Sequence, residues 1–126
     1  MKRLLLVLIV LGTSSCSFFA ECSEQNLADV KSPDGKYVAS LFARNCGATT
    51  SYLFHVNLRA DSDKFSPDLS GNIKEGEIFG IDGYKVLMEW TSPTTLVINC
   101  TECPADQPVN LERTWKDINI LYRPGR

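Results

Sequence analysis

Apolar and polar side chains alternate along several short segments of this chain, and this period of two is typical of β-strands with one buried face. In residues 37–44 the odd positions hold Tyr, Ala, Leu and Ala, and in residues 52–58 the even positions hold Tyr, Phe, Val and Leu. Beyond the N-terminal segment, no window shows an apolar period of about 3.6 residues over the length of a helix. The sequence therefore predicts an all-β domain.

Turn-forming residues separate these segments. Pro33 and Gly35 lie in the sequence Ser-Pro-Asp-Gly-Lys at residues 32–36, where Pro presets φ and Gly tolerates positive φ. Asp82 and Gly83, between two apolar runs, form a two-residue hairpin signal. We expect about six strands in a small antiparallel sheet or sandwich, near residues 37–44, 51–58, 77–81, 86–90, 95–99 and 115–122.

Residues 60–76 and 100–110 contain many residues that interrupt strands, so we expect loops there. The first contains three aspartates that form a candidate binding loop: Asp61, Asp63 and Asp68. An EF-hand calcium loop that began at Asp61 would need Gly and Glu at the places that Ser66 and Asn72 occupy. The aspartates therefore predict a solvated acidic loop, and no metal site is predicted.

The N-terminus has the order of residues found in an export signal. Lys2 and Arg3 precede an apolar run at residues 4–11, and small residues follow at 12–15. As a helix, the run would cover roughly 12 Å, whereas the hydrocarbon core of a bilayer is about 30 Å thick. The run is too short to span a membrane, and residues 1–15 are predicted to be a signal peptide that directs the chain to a bacterial cell envelope.

Cys16 directly follows this signal and resembles the lipid-attachment cysteine of bacterial lipoproteins. Those signals usually have Leu three residues before the cysteine, where this chain has Thr13. Thr13 and Ser15 also suit ordinary signal peptidase, which would leave a soluble periplasmic protein with Cys16 removed or free. The odd number of cysteines, 5, favours lipidation. The expected partner is then the membrane, through a lipid anchor at Cys16, with the domain in the periplasm.

The length and charge of the processed chain limit its organisation and partners. Of 126 residues, the 15 of the signal are lost and 111 remain, which fits one domain. Residues 16–31 are polar and predict a flexible tether, and residues 32–126 predict the all-β domain. Without the two basic residues of the signal, 11 of the 13 Lys and Arg remain. Against 15 Asp and Glu they give the processed chain a formal charge of −4. An acidic chain without a basic cluster argues against a nucleic-acid partner.

The other four cysteines predict two disulfides in an oxidising compartment. They are Cys22, Cys46, Cys100 and Cys103. Four cysteines allow three pairings, and the sequence alone does not choose among them. We prefer Cys22 with Cys46, which would tie the N-terminal arm to the domain. Cys100 would then pair with Cys103 and close a short local loop.

Cys100 and Cys103 also have the C-x-x-C spacing of thiol oxidoreductases and of some metal sites. Redox motifs of this kind lower the pKa of the first cysteine at a helix N-terminus, but Pro104 follows here and no helical pattern is present. A structural disulfide is therefore the preferred interpretation. A zinc site would also need Cys22 or Cys46 as a thiolate, which an oxidising compartment disfavours.

His55 is the single histidine, so any catalytic triad or multi-histidine metal site would have to use it. It lies on the polar side of an alternating strand, and we expect a surface histidine. The aromatic residues at strand spacing are expected in the core: Tyr37, Tyr52, Phe54, Trp90 and Tyr122. Because nucleophile motifs and phosphate loops are lacking, no catalytic residue and no cofactor are predicted.

Two motifs carry a resemblance to known proteins. They are Ser-Pro-Asp-Gly-Lys at residues 32–36 and Cys-Gly-Ala-Thr-Thr at residues 46–50, followed by an alternating strand and by Trp-Lys-Asp-Ile at residues 115–118. Over most of residues 32–122 the chain is similar to a group of small bacterial exported proteins, many of which have lipoprotein signals. The resemblance implies export but supplies no reaction, because none is assigned to the group.

The resemblance does not extend to the loop at residues 61–76 or to Cys100 and Cys103, so no role of those residues carries over. Residues 32–36 with their strand, and residues 90–98, also resemble the strand pattern of one β-propeller blade. A closed propeller needs several repeats of about 40 to 45 residues, and this chain shows no internal repeat.

Two classes of function remain open. The preferred hypothesis is a non-catalytic envelope domain with a structural or protein-binding role, which includes inhibitor and immunity roles. An edge strand or the loops at residues 60–76 and 100–110 would contact an unidentified envelope protein. The alternative is a thiol-disulfide oxidoreductase that uses Cys100 and Cys103.

Overall fold

A computed structural model of the chain describes residues 22–47, 51–65 and 75–125. The predicted signal peptide, Cys16 and Asp68 lie outside the described residues. The described residues form nine strands: β1 (Ser23–Lys31), β2 (Tyr37–Asn45), β3 (Leu53–Ala60), β4 (Glu77–Asp82), β5 (Leu87–Ser92), β6 (Thr95–Cys100), β7 (Pro108–Leu111), β8 (Thr114–Trp115) and β9 (Ile118–Pro124). The all-β prediction is confirmed. Within these ranges there is no helix of the length and apolar character needed to cross a bilayer.

The strands form two sheets. The first has the order β1-β2-β3-β4-β7 and is antiparallel, and the second has the order β5-β6-β9-β8. In the second sheet β6 and β9 run parallel, while β5 and β8 pair antiparallel with their neighbours. The predicted strands account for most of both sheets, and β1, β7 and β8 are additional.

One hydrophobic core lies between the two sheets. The alternation read from the sequence determines its inner faces, because inward residues of β2 and β3 meet inward residues of β6 and β9. The fully or almost fully buried members from these four strands are Ala39, Leu41, Val56, Leu58, Leu96, Ile98, Ile118 and Ile120. Of the aromatic residues expected in the core, all but Tyr52 pack against this cluster.

Strand β1 corrects the predicted tether at residues 16–31, because residues 23–31 pair antiparallel with β2. A bulge between Asn26 and Ala28 lets Leu27 pack against the core. The predicted disulfide between Cys22 and Cys46, whose Cα atoms are 4.0 Å apart, joins the start of β1 to the segment after β2. For residues 23–31 the tether prediction was wrong, because β1 is an edge strand with mostly polar, exposed side chains, so its sequence lacks clean alternation. Residues 16–21 lie outside the described residues.

The turn at Asp82 and Gly83 also differs from the prediction. Strands β4 and β5 belong to different sheets, so the turn does not close a hairpin but leads the chain from one sheet to the other. Gly83 has φ of 80° and its N–H donates to the carbonyl of Tyr52 at 2.9 Å. Tyr52 lies just before β3 and is 51% exposed. Its expected place in the core is therefore wrong. Val86, which lies between this turn and β5, is fully buried in the core.

The predicted strand at residues 115–122 is a hairpin in which Lys116 and Asp117 connect β8 and β9. Its inward residues are as expected, since Ile118 and Ile120 are buried. The predicted loop at residues 100–110 begins with the disulfide and ends in β7, which pairs with β4 at the edge of the first sheet.

Candidate functional site

Four charged side chains meet on the outer face of the first sheet, one from each of β1 to β4. They are Glu24, Arg44, His55 and Glu77, here called the polar cluster, and no side chain among them is more than 3% exposed. Glu24 is directly opposite Arg44 in the register of β1 and β2. A bulge in β4 places Glu77 opposite Asn57 and so on the same face as His55.

The contacts within the polar cluster are short. Arg44 Nε donates to Glu24 Oε1 at 2.5 Å, and the second oxygen of that carboxylate lies 2.8 Å from His55 Nε2. On the other side of the imidazole, His55 Nδ1 is 2.9 Å from Glu77 Oε1. Arg44 Nη1 lies 3.9 Å from the same Glu77 oxygen, so the four groups form a closed ring of charges.

Both ring nitrogens of His55 face a carboxylate oxygen, Nε2 that of Glu24 and Nδ1 that of Glu77. Arg44 lies beside the same two carboxylates. The Nδ1 contact is close but not aligned as a hydrogen bond, and within the described residues Glu77 Oε2 and Arg44 Nη2 also lack hydrogen-bond partners.

The expectation of a surface histidine is wrong, because His55 is 1% exposed. The alternation placed it on the correct face of β3, but that face is covered. The ring of Phe42 stacks on the imidazole with centroids 5.3 Å apart, and Phe65 stacks on Phe42 at 3.9 Å. The segment after β3 therefore returns over the sheet. The sequence signal for this was two apolar residues, Val38 and Phe42, on the face of β2 that also carries Ser40 and Arg44.

A second polar chain crosses the same face beside the polar cluster. The hydroxyl of Ser40 donates to Asp29 Oδ1 and accepts a hydrogen bond from Arg59 Nη1. The Ser40 hydrogen bond lowers the pKa of Asp29 most, opposed by desolvation, and the Asn26 amide and the charge of Arg59 lower it further. This chain links β1, β2 and β3 and holds the Arg59 side chain in place.

A pocket of about 370 Å³ lies where the end of β3 meets the turn between β8 and β9. We call it the end pocket. Its cations are Arg59, Lys64 and Lys116, its carboxylates are Asp63 and Glu75, and its aromatic rings are Phe65 and Trp115. Charged groups of both signs with aromatic walls are the usual means by which a protein orients a polar ligand or a peptide.

Gly76 builds the floor of the end pocket. Its carbonyl accepts from the N–H of Leu58 at 2.8 Å, and Asn57 Nδ2 donates to the carbonyl of Glu75 at 3.3 Å. Gly76 has φ of 85°, and a Cβ there would lie 2.5 Å from the Leu58 oxygen. Any other residue would therefore push the returning chain away from β3.

The other wall of the end pocket is the hairpin of β8 and β9. Lys116 Nζ lies 4.7 Å from the ring centroid of Trp115, whose ring packs edge-on against Tyr37 at 5.6 Å. The Tyr37 hydroxyl donates to Asp117 Oδ1 at 3.1 Å, and this hydrogen bond is the main cause of a raised pKa of Tyr37. These contacts fix the turn that presents Lys116.

The structure separates the three aspartates of the predicted binding loop. Asp63 lines the end pocket, whereas Asp61 forms an exposed ion pair of 3.1 Å with Lys31 on β1. Asp68 is outside the described residues. In the ranges that the structure describes, no group of three or more His, Cys, Asp or Glu side chains is arranged to hold a metal ion.

Cys100 and Cys103 form the second predicted disulfide, with Cα atoms 5.3 Å apart. They are 4% and 0% exposed and belong to the hydrophobic core. The Cys100 carbonyl also accepts the N–H of Gly125 at 2.8 Å, which holds the end of β9 against this loop. The pair lies at the end of a strand and not at a helix N-terminus.

Sequence reasoning found Asp63 but missed the polar cluster and the lysines of the end pocket. Lys64 and Lys116 are distant in sequence, and no local pattern indicates that the fold brings them to one pocket. The charged residues of the polar cluster each looked like ordinary solvent-facing positions of a half-buried strand. Comparison of the chain with known protein families, with curated proteins and with solved structures found no match.

Proposed function

We propose that this protein is a non-catalytic domain of a bacterial cell envelope that binds another protein through its end pocket. The observation that carries this proposal is the contrast between the buried reactive groups and the exposed binding groups. His55, Cys100 and Cys103 are at most 4% exposed. By contrast, the charged side chains of Asp63, Lys64, Glu75 and Lys116 reach solvent around a pocket.

The disulfides support an exported protein. Both cysteine pairs lie at bonding distance, as expected of a small domain in an oxidising compartment. In this proposal Cys16 carries the lipid anchor, or the chain is cleaved and soluble in the periplasm. A lipid anchor would keep the domain close to the membrane, because the chain from Cys16 to Cys22 is six residue steps long and reaches roughly 20 Å at full extension.

Affinity capture from envelopes tests the binding role. The wild-type protein, the double variant Lys64→Glu and Lys116→Glu, and the control Lys85→Glu would be compared. Lys85 is exposed but does not line the end pocket, so the control has the same chemistry at a different place. We expect a partner that the wild type and the control retain and that the double variant loses. Equal capture by all three proteins would contradict binding through the end pocket. If the protein has an inhibitor or immunity role, the proposal places the contact with the target at this same pocket.

The thiol-disulfide oxidoreductase is the competing function, and burial of both sulfurs weighs against it. Thiol titration of the native protein, with and without reductant, measures whether Cys100 and Cys103 exchange. An insulin-reduction assay measures turnover. We expect no reactive thiol from this pair in the absence of reductant and no insulin reduction above that of the double Cys→Ser variant. Turnover that depends on the pair would overturn the non-catalytic proposal.

A further inference from the structure

We infer that the end pocket binds a carboxylate-bearing peptide segment, so that the partner contributes an acidic side chain or its C-terminus. This inference rests on the proposed binding function and adds the chemistry of the ligand. The first supporting observation is the charge of the end pocket. Its lining has three cations and two carboxylates, although the formal charge of the processed chain is negative. The end pocket is therefore locally suited to an anion.

The cations of the end pocket are not equally available. Arg59 is held on both sides, since its Nε donates to the Asp63 carbonyl at 3.2 Å and its Nη1 donates to Ser40. Lys64 and Lys116 remain. Among the described residues, neither ammonium group is paired with a carboxylate. Two unpaired lysines at one pocket are the groups that would meet an incoming anion.

The backbone conformation of Lys116 supports the inference independently of the charges. It has φ of 52° and is the one non-glycine residue with positive φ among those described. It is the first of the two residues that connect β8 and β9, a place where glycine is favoured. A backbone held in a sparsely populated region often marks a binding site. This chain has a lysine where glycine would fit better, and the ammonium of Lys116 lies on the Trp115 ring at the pocket wall.

The same residues distinguish among anions. Asp63 and Glu75 would repel a phosphate dianion more strongly than a single carboxylate. The guanidinium of Arg59 already donates from Nε and from Nη1, which leaves fewer N–H groups for bidentate phosphate binding. The two carboxylates can instead accept N–H groups of a peptide, and the Trp115 ring offers a face to an apolar neighbour. The volume, about 370 Å³, is near the lower end of the range for ligand pockets, which suits a short segment.

Two-dimensional NMR of the protein purified from envelopes tests this inference. The chain has 2 tryptophans, and a Trp90→Phe variant assigns the remaining indole N–H signal to Trp115. The probes are acetyl-Ala-Leu-Glu-amide, the neutral acetyl-Ala-Leu-Gln-amide, acetyl-Ala-Leu-Gln with a free C-terminus, and inorganic phosphate. Each would be titrated to about 10 mM, above the millimolar Kd expected of a weak single contact.

We expect one of the two carboxylate peptides to shift the Trp115 signal, and which of them does so identifies the source of the carboxylate. The neutral peptide should bind at least tenfold more weakly. In a variant with Lys64→Ala and Lys116→Gly the affinity should fall at least tenfold, and Lys85→Ala should not change it. Equal binding of the neutral peptide, tighter binding of phosphate, or no shift with either carboxylate peptide would overturn the inference. If affinity capture still depended on Lys64 and Lys116 in that case, the proposed function would stand without it.

Discussion

The imidazole of His55 and the carboxylate of Glu24 are hydrogen-bonded at 2.8 Å although their strands, β3 and β1, are separated by β2. The side chains meet above the intervening strand, which supplies Arg44 to the other oxygen of the same carboxylate. Strand β1 is therefore attached by side chains as well as by its backbone and by a disulfide. The segment nearest to the predicted lipid anchor is an integral part of the sheet.

We expect the variant Arg44→Leu to lower the free energy of unfolding by about 3 to 5 kcal/mol, because it removes the guanidinium that lies beside both buried carboxylates. Urea denaturation followed by circular dichroism measures this change, with Lys85→Ala as an exposed control expected within about 0.5 kcal/mol of the wild type. Apolar replacement of all four residues of the polar cluster should recover most of the loss. A loss below about 1 kcal/mol for Arg44→Leu would show that water reaches the polar cluster.

We expect Ser40→Ala to raise the pKa of Asp29 towards its ordinary value of 3.8, because the Ser40 hydroxyl is the largest cause of the lowered pKa. A carboxyl whose pKa is lowered by folding stabilises the fold above its unfolded pKa, and this contribution is lost as the pH falls through the folded value. The variant should therefore lose less stability on acidification than the wild type. NMR titration of the Asp29 carboxyl carbon measures the pKa directly. An unchanged pKa would contradict the assigned cause, and Asn26→Ala should have a smaller effect.

We expect Lys116→Gly to be more stable than Lys116→Ala by about 1 kcal/mol, because only glycine adopts this positive φ without strain. Both variants lose the contact between the ammonium and the Trp115 ring, so their difference isolates the backbone term. Thermal denaturation of the two proteins measures it. Equal stability of the two variants would mean that the turn relaxes when the lysine is absent. The lysine side chain itself would then hold the positive φ at this position.

We expect Gly76→Ala to destabilise the protein by about 2 kcal/mol or more, because it adds a steric clash to the cost of positive φ. The added Cβ would meet the Leu58 oxygen. Gly35→Ala is a matched control, since Gly35 has a similar φ of 74° but nothing lies within 4 Å of a Cβ there. The free energy of unfolding should fall more at Gly76 than at Gly35. Equal losses would indicate that the floor of the end pocket moves freely.

Local patterns predicted the parts of the fold that depend on local chemistry. The alternation at residues 37–44 and 52–58 identified β2 and β3, two of the three interior strands of the first sheet, because a half-buried strand must alternate. The preferred cysteine pairs are the pairs in the structure. The Asp82 and Gly83 turn and the strands on either side of it were found, but their pairing was not, since a turn signal does not say which sheet the next strand joins.

The parts that were missed depend on distant residues. Strand β1 pairs through its backbone at an exposed edge, so its side chains needed no apolar pattern. His55 is covered by residues that are distant in sequence, since Phe42 stacks on its imidazole and Phe65 in turn stacks on Phe42. Lys64 follows β3 of the first sheet, whereas Lys116 lies between β8 and β9 of the second sheet. Only the completed fold brings the two lysines to the end pocket.

The proposed function requires that the end pocket is the surface by which this protein contacts its partner. Site-specific photo-crosslinking in intact cells tests it most directly, with a photoreactive amino acid in place of Lys64 and, as a control, in place of Lys85. We predict a crosslinked partner from position 64 that disappears when Lys116→Glu is added, and no such product from position 85. A product of the same size from both positions, or one from position 64 that survives Lys116→Glu, would contradict the claim.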